Sequence, residues 1–293
     1  MTIRTILAPL SGGSSDEGAI ETACLLARRF GAHLAALHVQ ADPTDVLPLL
    51  GQDISTPVAG ELIEMAQRQE ADHAVNARVI FEAAIARHGL PLRDRLLAAG
   101  QIAGGGPSAS WREATGLASA IVPLCARLSD LVILGQSGRV SDKPYSDTLD
   151  ETVVLGGRPV LLAPLHALAP IGEVVAIAWN ASPEAARAVS GALPFLAEAR
   201  EVHTLSLGGE DEALCDAEQA SYLGWHGIAV RTHRVQPVKG VKTGELLLAA
   251  ARDKGADLLV MGGYGHAPWR EMIFGGVTAD IVGSSRLPIL LSH

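Results

Sequence analysis

The chain repeats itself, and the repeat constrains the fold more than any other feature. An apolar run, Thr5-Ile6-Leu7-Ala8-Pro9-Leu10, leads into a polar turn, Ser11 to Asp16. An Ala/Leu-rich helical stretch follows, ending near Arg28-Arg29-Phe30-Gly31, and then a second apolar run, His33 to Val39. The second half restates the order. Val174 to Trp179 gives way to Asn180-Ala181-Ser182-Pro183, another Ala/Leu helix and a run from Val202 to Leu207. The closing parts also match. Ser129-Asp130-Leu131-Val132-Ile133-Leu134-Gly135 mirrors Ala256-Asp257-Leu258-Leu259-Val260-Met261-Gly262, and Arg158-Pro159-Val160-Leu161-Leu162 mirrors Leu287-Pro288-Ile289-Leu290-Leu291. Self-similarity on this scale predicts two copies of one supersecondary plan. They meet in the Pro-containing stretch Pro164–Ile171, which places one domain over 1–165 and another over 170–293.

The copies are unequal in the middle. The opening runs are offset by 169 positions and the closing runs by 127, so the first half carries 42 more residues between its second and fourth strands. Most of them fall in Val58–His88, a helical pattern rich in Ala, Glu and Arg that reads as a long packing helix.

Strands alternating with helices imply parallel strands joined by right-handed crossovers, with helices on both faces. The expected fold is α/β, two tandem doubly wound open parallel sheets. Aromatic residues are only 4% and apolar residues 48%, as suits buried parallel strands made of Ala, Leu, Val and Ile. A formal net charge of −9 argues against a nucleic-acid groove, which needs clustered Lys and Arg. No apolar run approaches the roughly 20 residues of a membrane helix. Together these favour a cytoplasmic protein. Cys24, Cys125 and Cys215 read as three reduced core thiols. None of the ten histidines has metal-ligand spacing, no paired carboxylates suggest acid–base work, and Gly135-Gln136-Ser137-Gly138 is not a hydrolase nucleophile elbow. No catalytic or metal residue is assigned.

In doubly wound sheets, ligands bind beyond the carboxyl ends of the strands. The loop after the fourth strand of the second half is the richest such place. Met261 runs into Gly262-Gly263-Tyr264-Gly265, and nine residues later Gly275-Gly276-Val277-Thr278 opens a short helical stretch to Gly283. Glycines permit close backbone approach, and free N–H groups at a helix start attract anions. A phosphate cradle is one reading and a glycine-rich surface loop the other. Gly240-Val241-Lys242-Thr243 lacks the glycine pattern of a Walker loop.

The segment resembles the signature of the universal stress protein family, G-x-x-G, nine residues, then G-[ST]. The resemblance extends to both first strands and both closing strands. It implies an adenine-nucleotide-binding stress-response protein with ATP as ligand, with Mg²⁺, or else ADP or AMP. Activity would lie in nucleotide-dependent conformation or partner binding, with at most weak ATP hydrolysis. The contacts it implies are Asn180, Gly262, Gly265, Gly275, Gly276, Val277 and Thr278. The final strands of such domains meet edge to edge, here within one chain as a pseudo-dimer, which leaves room for a further homodimer.

Two departures stand out. Gly276 occupies the Ser/Thr position, which removes one hydroxyl donor and lowers affinity by roughly tenfold, and Thr278 offers a hydroxyl two residues on. Asn180 stands where the family has Asp. It either meets adenine through its amide or merely shapes the turn before the Ser182 cap and Pro183. His266 and Arg270 border the cradle; each reads either as a phosphate contact, Arg270 the better candidate, or as a solvated loop residue. The first half keeps only Gly135 and Gly138. Ser11 stands at the adenine position, Thr148 where glycine is needed, and Asp142, Asp147, Asp150 and Glu151 are expected in the matching loop, where they would repel phosphates. The competing reading is a nucleotide-free dimeric scaffold.

Overall fold

The computed structural model describes residues 2–42, 56–94, 97, 105–136, 143–167, 169–206, 213–263, 281 and 285–293, without the side chains of 56–59, 143–146 and 213. The first half runs β1 (Thr5–Leu10), α1 (Asp16–Phe30), β2 (His33–Gln40), α2 (Thr56–His88), β3 (Ser108–Thr115), α3 (Ala118–Ala126), β4 (Leu131–Gly135), α4 (Lys143–Leu155) and β5 (Val160–Ala163). The second runs β6 (Val174–Trp179), α5 (Pro183–Leu196), β7 (Glu201–Ser206), α6 (Ala213–Trp225), β8 (Val230–Arg234), α7 (Thr243–Asp253), β9 (Leu258–Gly262) and β10 (Ile289–Ser292).

Local chemistry sets the boundaries. α1 opens with Asp16 and Glu17 and closes with Arg28 and Arg29, each favourable to the helix dipole, and Gly31 ends it in the left-handed conformation. α5 starts as the sequence predicts: Ser182 caps it, its hydroxyl accepting from the Ala185 N–H at 3.2 Å, and Pro183 takes the first turn. β4, β5 and β10 are buried throughout, as near-continuous apolar runs should be when helices cover both faces.

The strand order is β3-β2-β1-β4-β5-β10-β9-β6-β7-β8, one sheet of ten. Within each half all pairs are parallel. The two expected sheets join because β5 and β10 pair antiparallel, with Ile289 opposite Leu162, Leu290 opposite Leu161 and Leu291 opposite Val160. An edge that would otherwise offer unpaired N–H and C=O groups is thereby closed. The core lies on both faces. One cluster gathers residues of α1, α2, α5 and α6, the other residues of α3, α4 and α7.

The repeat extends to polar detail. Asp130 accepts from the N–H groups of Arg4 and Thr5, and Asp257 accepts from those of Gly172, Glu173 and Val174, so one carboxylate pins the entry of β1 and its counterpart that of β6. At the junction, Arg29 donates to the carbonyl of Ile171 and pairs with Glu198, while Phe30 meets Phe195 edge-on with centroids 5.2 Å apart. Such an aromatic pair contributes about 0.5–1.5 kcal/mol beyond its area.

The inserted helix is real: α2 has 33 residues against 13 in α6. All three cysteines are unpaired, but only Cys24 lies fully in the core. Burial pushes its thiol up to about 12, so it stays protonated. Cys125 and Cys215 are half-buried on the flanks of α3 and α6, so the reading of three core thiols holds only for Cys24.

Candidate functional site

β6 and β9 are neighbours, and their carboxyl ends lie side by side. β6 ends at Trp179. Asn180 and Ala181 follow, both exposed. The Asn180 Oδ1 accepts from the Ser182 N–H at 3.2 Å, so the side chain does shape the turn. Its amide NH₂ makes no hydrogen bond to another described residue. Ala181 sits at φ 57°, a left-handed conformation that costs a residue with a Cβ roughly 1–2 kcal/mol.

Gly262 ends β9 against the first turn of α5. A Cβ there would lie 2.5 Å from the Ala185 nitrogen and 2.8 Å from the Glu184 Cβ. Close packing of strand against helix therefore accounts for this glycine. Gly135 makes the same approach in the first half, where an added Cβ would lie 2.8 Å from the Ser15 carbonyl carbon. Beside Gly262, burial raises the Glu184 pKa, but its own backbone N–H, the Ser182 hydroxyl, Arg187 and His293 outweigh that and hold the carboxyl below its usual range. Arg187 donates to Glu184 at 2.9 Å. The start of α5 is thus already served by Ser182 and Glu184, and does not present a vacant anion site.

A polar group that the sequence reading missed lies next to this end of the sheet. Ser206 closes β7 opposite Trp179, and its hydroxyl donates to Asp216 of α6 at 2.9 Å. Arg234, at the end of β8, approaches the same carboxylate at 3.8 Å. Thr204 donates to Gln219 at 2.9 Å. Asp216 Oδ1, Gln219 Nε2 and Trp179 Nε1 are buried without a hydrogen-bond partner among the described residues. The available signal was Asp216 and Gln219 spaced three apart on a helix, which places both on one face.

The first half treats the same positions differently. Ser11 matches Asn180, and its hydroxyl bonds Asp16 at 3.2 Å while accepting from the Gly13 N–H. Asp16 also accepts from the Gly12 N–H at 2.7 Å. Desolvation raises the Asp16 pKa, and the bonds from Gly12 and Ser11, with His38 nearby, pull it only part-way back. Gly12 matches Ala181 and shares its hand, with φ 83°. It is buried beneath α2: an added Cβ would lie 2.6 Å from the His73 Cα, and Asn76 donates to the Gly12 carbonyl at 2.6 Å. His38, matching Ser206, bonds the Leu10 carbonyl and stands 3.7 Å from Glu70 of α2.

One expectation is corrected. The carboxylates assigned to the first-half loop are on α4, with Thr148: Asp147 and Glu151 face outward and Asp150 is buried on the inner side. The segment keeps helical periodicity, so its acidic residues sort to opposite faces and do not line a common loop. Asp142 lies outside the described residues. So do Gly265, Gly275, Gly276, Val277 and Thr278, with His266 and Arg270. Among the described residues no group of three metal-ligating side chains occurs, and no helix is long and apolar enough to cross a membrane.

A profile of the universal stress protein family matches residues 197–293. That match covers about a third of the chain, so residues 197–293 are similar to that family. The crystal structure of a universal stress protein from Archaeoglobus fulgidus DSM 4304 superposes with a TM-score of 0.68 at 14% identity, covering 98% of this chain and 97% of that one. A functionally unknown protein from Pseudomonas aeruginosa PAO1 gives 0.53 at 13%, covering 99% and 92%. A protein from Pseudomonas aeruginosa UCBPP-PA14, described as a universal stress protein, gives 0.53 at 15%, covering 99% and 93%. No curated protein matches the chain. At these identities the likeness is one of fold, and it spans both halves of the chain.

Proposed function

We propose that this chain is a universal stress protein that holds one adenine nucleotide, in a domain spanning 170–293, and that the domain spanning 1–165 supports it without a site of its own. The ligand is ATP, with Mg²⁺, or ADP or AMP. The contacts are Asn180, Gly262, Gly265, Gly275, Gly276, Val277 and Thr278. The supporting observation is the contrast between the two loops: Asn180 and Ala181 are exposed beside Gly262, while Gly12 lies under α2. The NH₂ of Asn180 can donate to a ring nitrogen, and its oxygen, which accepts from Ser182, has a second lone pair for an exocyclic amine. Because Ser182 and Glu184 already serve the start of α5, the phosphates belong toward Gly275–Thr278 and not toward α5. The role in a cytoplasmic stress response is carried by nucleotide-dependent conformation or partner binding.

The test is calorimetric titration of the full chain with ATP, ADP and AMP, after chromatography of the heat-denatured protein for bound nucleotide. One site is expected, lost in a folded Gly275→Val variant. Two equivalent sites, no binding, or unchanged affinity in that variant would refute the assignment.

A further inference from the structure

The sheet of ten ends in two edge strands, β3 and β8, and a histidine on the next strand in bonds each of them. At one edge His33 of β2 bonds the hydroxyls of Ser108 and Ser110 on β3, both at 2.9 Å. At the other, His203 of β7 meets His233 of β8, Nδ1 to Nε2 at 3.1 Å, with ring centroids 5.2 Å apart. The edges differ in what else holds them. β3 buries Ser108, Ala109 and Ser110, whereas none of the five residues of β8 is buried. β8 therefore depends on its ladder to β7 and on polar side-chain bonds, which is the kind of segment that opens locally before the whole fold does.

Protons treat the two bridges differently. A hydroxyl donates or accepts as needed, so Ser108 and Ser110 can serve a neutral or a charged His33. Between two imidazoles one ring nitrogen must donate and the other accept. One added proton can settle on an outer nitrogen, Nε2 of His203 or Nδ1 of His233, and leave the bond intact. A second sets N–H against N–H and breaks it. The surroundings do not relieve that state. His203 Nε2 is buried with no hydrogen-bond partner among the described residues, 3.6 Å from Glu201. Glu201 already pairs with Arg200 and with Arg231 of β8. Arg231 and Lys254, just past α7, add positive charge. The α7 side chains over this face, Leu247, Leu248 and Ala251, are apolar, and Ala176 of β6 lies opposite His203. Burial, the largest influence, and the nearby cations lower both histidines, against an opposing pull from Glu201 on His203.

We infer that the His203–His233 pair is an acid-released latch: protonation of both rings frees the β8 edge of the sheet, while the β3 edge stays closed. Because both folded values are lowered, the latch contributes fully above the ordinary histidine value and fades as pH falls through the folded values. The two rings titrate as a coupled pair.

Hydrogen exchange of the full chain, read peptide by peptide from about pH 8 to about pH 5, tests it. Protection of β8 is expected to fall by about tenfold or more relative to β9, and protection of β3 to hold. His233→Gln supplies an amide that both donates and accepts, so β8 should stay protected across the range. In the unsubstituted protein, the two imidazoles followed by NMR should titrate in two steps, the second below the ordinary histidine value. Equal loss of protection in β3, β8 and β9, no loss in β8, an unchanged pH response in folded His233→Gln, or two independent titrations at the ordinary value would overturn the proposal.

Discussion

The loops after β1 and β6, five and three residues long, share a left-handed second residue and a turn-closing bond two residues on, yet among the described residues only the first is covered. Residue type follows cover. Under α2 the left-handed residue is Gly12, because a side chain would strike the His73 backbone. Without that cover it is Ala181, whose Cβ has room but whose backbone is strained. Glycine in the first half therefore reflects packing, and in the second half no described residue rests on Ala181. The 42-residue insertion, which seemed only to lengthen a helix, is what distinguishes a roofed loop from an exposed one.

The comparison can be broken most forcefully at Gly12. Gly12→Ala should destabilise by about 3 kcal/mol or more, since it adds a backbone clash to an unfavourable φ. Urea unfolding measures it, and a change under 1 kcal/mol would mean that α2 does not rest on this loop. The reciprocal change is milder and of opposite sign. Ala181→Gly should stabilise by about 0.5–1 kcal/mol, strain relief exceeding the added freedom of the unfolded chain. Loss of stability on the same measurement would show that the exposed loop is not strained. The smallest effect lies at Glu184. Its folded pKa is lowered, so its contribution is fully present above the ordinary glutamate pKa and fades as pH falls through the folded value. Glu184→Gln should flatten the acid limb of the stability–pH curve over that range. An unchanged limb would mean that the carboxylate has no special partners.

Much of this plan could be read from the residues. The paired apolar runs gave two halves, Ser182-Pro183 gave the start of α5, and the matched Leu-rich ends gave β5 and β10. These are local patterns, written within a few positions of one another. What escaped reading was non-local. That Asn76 would bond Gly12 across 64 positions is invisible to periodicity, as is the convergence of Ser206, Asp216 and Arg234. The carboxylates of α4 were misplaced because they were counted from Gly138 along the glycine pattern of the other half, although the segment Lys143–Leu155 keeps helical periodicity and proline suits the first turn of a helix. Of the candidate site, Asn180 and Gly262 were named from the sequence, and the structure places them at the ends of the neighbouring strands β6 and β9. Packing against α5 alone requires Gly262, a cause that a glycine in a sequence cannot display.

The antiparallel ladder between β5 and β10 has a consequence of its own. In an assembly of two separate identical chains, that ladder would form only by collision, and every substitution would appear on both sides at once. Here it closes within one molecule, so it survives dilution and involves no loss of translational freedom at assembly. Covalent linkage also removes the mirror constraint. One half can grow a long helix over its loop while the other keeps its loop bare, and neither change has to suit both positions. The seam at Val160–Leu162 and Ile289–Leu291 is what allows inheritance to treat the two units as separate texts while thermodynamics treats them as a single body.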